Sequence, residues 1–192
     1  MNKKRIVLAV TGASGTIYAQ KLSQFLGNME ALELHLIVSK AALKVMELET
    51  DFKPEDLIEN ADFIYEQNNI AAPPASGSWS HDGMIVCPCS MSSLAAIAQG
   101  LGSNLIHRAA DVSLKERRKL ILVTRETPLN LIHIRNMETV TLAGASVMPA
   151  SPGYYHAPKS IDELAAHMAG RILEQLNISH NLYKRWCEDS QR

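Results

Sequence analysis

The sequence RIVLAVT, residues 5–11, decides the fold, and it runs directly into Gly12, Ala13, Ser14 and Gly15. A continuous apolar run of this kind predicts a strand that is buried on both faces of a parallel sheet. The next stretch, residues 16–26, keeps its apolar side chains on one side, as an amphipathic helix does. We therefore expect the chain to begin with a strand, a tight turn and a helix.

The same alternation of apolar strand and helix continues along the chain. Further strands are predicted at residues 32–38, 63–65, 83–87, 120–124 and 145–148, and helices at 41–47, 92–99, 105–117, 130–142 and 160–176. Such alternation implies right-handed crossovers and a parallel sheet covered on both faces. The predicted fold class is α/β: a single three-layer Rossmann-like or flavodoxin-like domain with a mainly parallel sheet, over residues 1–178. Residues 179–192 are a polar tail that either frays or docks on a neighbouring subunit.

Composition excludes several classes of protein. The length of 192 residues suits one domain, and a net charge of −1 gives no broad basic surface for nucleic acid or an anionic membrane. No apolar run approaches the roughly 18 residues of a membrane span, and we expect no signal peptide. Three cysteines, Cys87, Cys89 and Cys187, argue for a reducing compartment, so we expect a cytoplasmic protein.

Polar residues follow four of the predicted strands, at their carboxyl ends. They are Gly12 to Gly15, Ser39, the stretch from Cys89 to Ser93, and Arg125 with Glu126. In open α/β sheets, ligands bind outside the carboxyl ends of the strands, near the point where the strand order reverses. Four such clusters on one rim predict a ligand site.

Each cluster also has a structural interpretation, which the sequence leaves open. Unpaired amides at the start of a helix suit a phosphate, but Ser14 is equally compatible with a helix cap. Hydroxyls of Ser90, Ser92 and Ser93 can hold a phosphate group, or they cap a helix redundantly, which is worth about 1 kcal/mol. The first turn lacks the G-x-G-x-x-G pattern of a dinucleotide site. Only Pro88 separates Cys87 from Cys89, which argues against zinc.

Cations on the helix at 105–117 also allow two interpretations. Arg108, Asp111 and Lys115 share one helix face, which usually means an exposed face with salt bridges. The functional alternative needs these cations to converge with Arg125 on a second anion. Glu126 beside such cations could exchange a proton with a leaving phosphate.

Taken together, these motifs resemble the UbiX family of flavin prenyltransferases over residues 5–176. The resemblance rests on Gly12-Ala13-Ser14-Gly15, Cys87-Pro88-Cys89-Ser90-Met91, Arg108-Ala109-Ala110-Asp111-Val112, and Arg125-Glu126-Thr127-Pro128-Leu129. It implies a metal-independent enzyme that joins a dimethylallyl group, from dimethylallyl monophosphate, to N5 and C6 of reduced FMN. It also implies a dodecamer with active sites between subunits. The prenylated FMN would serve a UbiD-type decarboxylase in ubiquinone biosynthesis or aromatic acid decarboxylation.

The resemblance also assigns roles to individual residues. FMN would contact Gly12, Ala13, Ser14, Ser39, Ser90, Met91, Ser92, Ser93 and Arg125. The prenyl phosphate would contact Tyr155, Arg171, Lys115 and Arg108, and Trp186 would cover the prenyl group. Glu126 would assist departure of the phosphate, and Ser14 would help the proton movements of ring closure.

Two other functions remain as alternatives. One is a flavoprotein that oxidatively decarboxylates a cysteine-containing substrate. Such relatives use a catalytic histidine near the first helix, and no histidine precedes His35. The other is a carrier that stores FMN without catalysis, which would leave Arg108, Lys115 and Arg171 without a use.

Overall fold

Six strands form one sheet in the computed structural model, which describes residues 3–186. They are β1 (Lys4–Val10), β2 (Leu32–Val38), β3 (Phe63–Glu66), β4 (Gly83–Cys89), β5 (Leu120–Thr124) and β6 (Ser146–Pro149). The spatial order is β3-β2-β1-β4-β5-β6, and every neighbouring pair is parallel. The order reverses between β1 and β4, so the crevice at their carboxyl ends is where ligands bind in sheets of this kind.

Helices cover both faces of the sheet. They are α1 (Thr16–Gly27), α2 (Lys40–Glu49), α3 (Pro54–Ile58), α4 (Met91–Ala98), α5 (Leu105–Lys115), α6 (Leu131–Leu142) and α7 (Ile161–Gln175), with a short 3-10 turn at Pro73–Ala75. One core contains side chains of α1, α2, α3 and α7, and the other contains side chains of α4, α5 and α6. The predicted three-layer α/β fold is confirmed.

The strand β1 lies at the centre because its side chains have apolar neighbours on both faces. Ile6, Leu8 and Val10 pack into one core, while Val7 and Ala9 pack into the other. Burial of this kind stabilises the fold by about 25 cal/mol for each Å² of apolar surface removed from water. The predicted doubly buried strand is confirmed, although it spans residues 4–10 and is fully buried only from Ile6 to Val10.

Side-chain caps fix where five of the helices begin. In each, the capping oxygen accepts a hydrogen bond from the backbone amide three residues later, as caps usually do. The capping residues are Ser39, Ser90, Asn104, Asn130 and Ser160. The helices predicted at 130–142 and 160–176 begin one residue later than expected.

The strand predicted at residues 83–87 is longer than expected, because β4 continues through Pro88 to Cys89. Proline has no N–H for the ladder, and the pairing with β5 shifts register between Val86 and Cys89. The ladder resumes where Cys89 pairs with Thr124. The strand therefore ends two residues later than predicted, at the first residue of the polar stretch from Cys89 to Ser93.

The described part of the tail folds back along α7. The Tyr183 hydroxyl donates to Oε1 of Glu174 (2.7 Å), and the Tyr183 ring lies 4.6 Å from that of His167. Cys187 and the residues after it lie outside the described part of the chain. The docking of residues 179–192 on a neighbouring subunit stays a prediction.

No helix within residues 3–186 has both the length and the apolar character that a bilayer crossing requires.

We expect His81, a buried histidine next to α5, to make the stability of the fold sensitive to acid. Its Nε2 lies 3.2 Å from the hydroxyl of Ser113, which donates its own proton to the carbonyl of Ala109 (2.7 Å). Burial, helped by the charge of Arg118, lowers the pKa of His81 from 6.5 to about 4. At pH values between 4 and 6.5, His81 is therefore protonated in the unfolded chain and neutral in the folded chain. Stability is therefore lost as the pH falls from 6.5 to about 4, by up to ~3 kcal/mol.

Unfolding by denaturant at pH 7.5 and pH 5 checks this expectation. The free energy of unfolding of the wild type should fall more between the two pH values than that of His81→Gln, which keeps an N–H donor but cannot titrate. Equal losses in the two proteins would mean that His81 does not contribute to acid sensitivity.

Candidate active site

Loops at the carboxyl ends of β2, β1 and β4 are joined directly to one another. The amide of Ser39 donates to the carbonyl of Val10 (3.0 Å). The hydroxyl of Thr11 donates to the carbonyl of Pro88 (2.7 Å) and accepts from the amide of Ser90 (2.8 Å). Three of the four predicted clusters therefore meet at the point where the strand order reverses.

The same rim continues across β5 to β6. The amide of Arg125 donates to the carbonyl of Cys89 (3.4 Å), and the amide of Ala150 donates to the carbonyl of Thr124 (2.8 Å). Arg125 and the loop that holds Tyr155 thus leave neighbouring strands on the same edge of the sheet. The predicted convergence of these strand ends is present within one chain.

The turn after β1 requires glycine at two positions. A Cβ added to Gly12 would lie 2.5 Å from Cβ of Ala41, so α2 could not approach the turn so closely. Gly15 is the N-cap residue of α1 with φ of 99°, a left-handed conformation that favours glycine, and no side chain caps this helix. The interpretation of Ser14 as a helix cap is therefore wrong, and its half-buried hydroxyl does not serve this end of α1.

Glu49 lies at this turn and was missed by the sequence analysis. Its Oε2 accepts a hydrogen bond from the amide of Gly15 (2.9 Å). A carboxylate at a helix N-terminus is favoured by the unpaired amides and the positive end of the dipole. Because the two residues are 34 positions apart, no local pattern points to this contact.

The start of α4 combines capping with available donors. Oγ of Ser90 accepts from the amide of Ser93 (3.2 Å), so the capping interpretation is correct for Ser90. The hydroxyl of Ser93 lies 3.3 Å from Nε2 of His107, whose Nδ1 lies 2.8 Å from the hydroxyl of Ser103. His107 thus holds Ser93 in place.

Ser92 and the first amides of α4 lie at the carboxyl end of β4, on the rim. Ser92 is exposed. Met91 and Ser92 are the first two residues of the helix, and backbone amides at these positions have no carbonyl partner within the helix. A helix start with free amides and a hydroxyl is a suitable place for a phosphate group.

Arg125 carries the clearest sign that a ligand belongs here. It is half-buried, and within the described residues its Nε is buried without a hydrogen-bond partner. A buried N–H of a charged group is costly to leave unpaired, so this position is suited to an anion. Glu126 beside it is exposed, and its Oε1 accepts from the amide of Thr127 (2.9 Å).

Tyr155 lies in a group of aromatic residues between the loop after β6 and α7. Its hydroxyl is 3.2 Å from Nε2 of His167, and its ring is 5.4 Å from that of Trp186 in an edge-to-face arrangement. Arg171 follows His167 by one helical turn and pairs with Glu174. Of the residues assigned to the prenyl substrate, Arg171 therefore lies on α7, Tyr155 packs against it, and Trp186 contacts Tyr155.

Arg108 and Lys115 are each paired with a carboxylate of their own chain. Arg108 binds Asp111 (2.6 Å) and the carbonyl of Ala75 (3.1 Å), and Lys115 pairs with Glu116. Lys115 ends α5 close to the amino end of β5, the edge opposite the rim. Within one chain, Lys115 therefore does not converge with Arg125, and a convergence of Arg108 with Arg125 stays a prediction.

The cysteines of β4 are buried and free. Burial raises the pKa of Cys87 far above its ordinary value and that of Cys89 to about 12, so neither supplies a thiolate at neutral pH. Among residues 3–186, no three His, Cys, Asp or Glu side chains lie together in a way that could hold a metal ion. A reaction that needs no metal stays a prediction.

Comparisons with known proteins agree with this geometry. The flavoprotein family model matches residues 1–174. The flavin prenyltransferase LpdB of Lactiplantibacillus plantarum is 46% identical over 97% of this chain and 100% of its own length. The crystal structure of AnUbiX (PadA1) in complex with FMN and dimethylallyl pyrophosphate has a TM-score of 0.90 at 44% identity, over 96% of this chain and 97% of that one.

A dodecameric FMN-dependent UbiX-like decarboxylase from Escherichia coli O157:H7 is also similar. Its TM-score is 0.92 at 41% identity, over 95% of this chain and 98% of that one. Fold and rim together define a flavoprotein. Within that class, the chain belongs to the UbiX family of flavin prenyltransferases, as its motifs predict.

Proposed function

We propose that this chain joins a dimethylallyl group, taken from dimethylallyl monophosphate, to N5 and C6 of reduced FMN. The observation that carries the proposal is the buried Nε of Arg125, which has no hydrogen-bond partner among the described residues and lies at the carboxyl end of β5, one strand away from the switch point. The names of the relatives, and the FMN and dimethylallyl pyrophosphate bound to AnUbiX, support the same chemistry. Membership of a flavin prenyltransferase family favours this function over an FMN carrier or a cysteine decarboxylase.

The residues at the rim are suited to FMN. The amides of Met91 and Ser92, the hydroxyl of Ser92 and the guanidinium of Arg125 supply donors for its phosphate. We assign FMN contacts to the whole set from the sequence: Gly12, Ala13, Ser14, Ser39, Ser90, Met91, Ser92, Ser93 and Arg125. Reduced FMN supplies N5 as nucleophile and C6 for the ring closure.

Charge on the departing phosphate has to be stabilised by the protein's own side chains. As the bond between the allylic carbon and the phosphate oxygen breaks, negative charge accumulates on the phosphate, and Arg171 and Tyr155 are donors for it. Glu126 exchanges a proton with the leaving group, and Ser14 assists the proton movements of ring closure. Trp186 covers the prenyl group beside Tyr155, which its ring already contacts.

Arg108 and Lys115 reach the phosphate from a second copy of the chain. Their own chain holds Lys115 near the opposite edge of the sheet, so a complete site needs another subunit. The face of α6 next to the rim exposes Leu131 (59%), Ile132 (68%) and Ile134 (51%), which is the kind of surface that subunit contacts bury. As in the E. coli relative, the assembly is a dodecamer.

The product serves a UbiD-type decarboxylase, in ubiquinone biosynthesis or aromatic acid decarboxylation. The protein works in the cytoplasm, which agrees with the two free, buried cysteines of β4. No nucleic acid takes part.

Mass spectrometry of the flavin tests the proposal. Purified protein, incubated anaerobically with reduced FMN and dimethylallyl monophosphate in the presence of a chelator, should yield a flavin heavier by one prenyl unit. Recovery of unmodified FMN alone after full reduction would contradict the enzyme and favour the carrier. Loss of the adduct only when the chelator is present would contradict metal independence.

A further inference from the structure

His167 lies between the loop that holds Tyr155 and the tail. It is buried on α7, and both of its ring nitrogens have neighbours in that loop. The amide of Gly153 donates to Nδ1 (3.2 Å), while Nε2 lies 3.2 Å from the hydroxyl oxygen of Tyr155.

These two contacts fix the tautomer of the imidazole. A backbone amide can only donate, so Nδ1 must be the unprotonated, accepting nitrogen. The neutral ring then carries its hydrogen on Nε2, which can only donate to the oxygen of Tyr155. The hydroxyl of Tyr155 therefore accepts from His167, and its own proton is directed elsewhere.

We infer that His167 is a positioning residue, which makes the hydroxyl of Tyr155 a committed hydrogen-bond donor to the prenyl phosphate. The inference rests on the proposed function in one respect, the assignment of Tyr155 to that phosphate. A phenol that was free to donate to a neighbouring histidine would offer the phosphate a lone pair in part of the molecules. His167 removes that alternative, so the donor is in place before the substrate binds.

The groups around His167 favour the neutral ring. The ring of His156 stacks on it at 4.9 Å with an interplanar angle of 7°, and Tyr183 covers it at 4.6 Å. Burial, then His156 and Arg171, lower the pKa of His167, and Glu174 opposes them. Protonation would place a hydrogen on Nδ1 against the amide of Gly153, so it would break the contact that holds the loop.

Affinity for dimethylallyl monophosphate tests the inference. Titration calorimetry on protein loaded with oxidised FMN measures binding without turnover. His167→Phe and Tyr155→Phe should each weaken binding about tenfold, the loss expected for one hydrogen bond to a charged group, with FMN affinity unchanged. The double variant should bind no more weakly than Tyr155→Phe, because His167 acts only through that hydroxyl.

A conservative variant separates positioning from a merely structural role. Glutamine can accept from Gly153 and donate to Tyr155, so His167→Gln should restore most of the affinity but cannot titrate. Because the pKa of His167 is lowered, wild-type binding should weaken only at pH values well below the ordinary histidine value of about 6.5, and it should weaken more than binding to His167→Gln does. Titration of the phosphate itself affects both proteins equally. His156→Phe, which keeps a stacked ring, is the matched control and should bind as the wild type does at neutral pH.

The possible failures are distinguishable. If the losses of His167→Phe and Tyr155→Phe add in the double variant, or if His167→Gln keeps the wild-type pH dependence, the inference is wrong while the proposed function stands. If Tyr155→Phe binds dimethylallyl monophosphate normally, the assignment of Tyr155 fails and the inference fails with it. A neutron structure with the hydrogen on Nδ1 of His167 would contradict the inference without any reference to activity.

Discussion

Replacing Glu126 with glutamine is expected to slow prenyl transfer about 10²–10⁴-fold while FMN remains bound, the range typical for loss of a general acid or base. The exposed carboxylate follows Arg125 at the carboxyl end of β5, and its Oε1 accepts from the amide of Thr127. Glutamine keeps an oxygen for that hydrogen bond, so the turn should stay intact. It cannot exchange a proton with the departing phosphate. Single-turnover measurement of the adduct, under anaerobic conditions, gives the rate directly.

A matched control for this variant lies at the other edge of the sheet. Glu30 is an exposed carboxylate in the turn before β2, and Glu30→Gln removes the same charge far from the rim. That variant should transfer the prenyl group at the wild-type rate. A rate for Glu126→Gln within about threefold of the control would remove Glu126 from the reaction and leave phosphate departure to the cations alone.

Local sequence patterns could predict the elements and the edge at which the site lies. Apolar runs such as residues 5–11 reveal buried strands, and serine before an amphipathic stretch reveals a cap, because both depend on neighbours in sequence. The carboxyl ends of parallel strands share one edge, so the clusters at Gly12, Ser90 and Arg125 could be placed together without knowing the strand order.

Contacts between distant parts of the chain could not be predicted in this way. The hydrogen bond from Gly15 to Glu49 and the pair formed by Tyr155 and His167 depend on how whole helices pack. The same limit applies to Lys115, whose place on a helix face could be predicted from spacing. Its position near the opposite edge follows only from the direction in which α5 crosses the sheet.

The positions of the site residues and the direction of the Tyr155 hydroxyl proton therefore have different structural origins. Ser90 and Arg125 are placed by the ends of strands, and their roles as hydrogen-bonding groups do not depend on a residue from another helix. Tyr155 needs a second residue from α7 to determine which way its proton is directed, so its role depends on packing between the loop after β6 and that helix.

Replacing Arg125 with alanine is expected to weaken FMN binding about 10- to 100-fold. Charge-assisted hydrogen bonds are worth about 1.5–3 kcal/mol, and the buried Nε of Arg125 has no partner among the described residues. Without FMN, loss of this unpaired group should leave the melting temperature unchanged or slightly higher. The rise in melting temperature that FMN produces should shrink, because ligand stabilisation depends on the ratio of free ligand to Kd. Fluorescence titration with FMN and thermal unfolding at several FMN concentrations measure the two effects separately.

Lys119→Ala is the control for Arg125→Ala, because it removes an exposed cation from the opposite end of the same strand, β5. Its FMN affinity should equal that of the wild type, which separates a local contact from a change in overall charge. Arg125→Lys should recover part of the affinity, since lysine keeps the charge but lacks the planar fork of donors. If Arg125→Ala binds FMN as tightly as Lys119→Ala, the unpaired Nε is not a ligand contact. The flavin phosphate would then have to be held by the start of α4 alone.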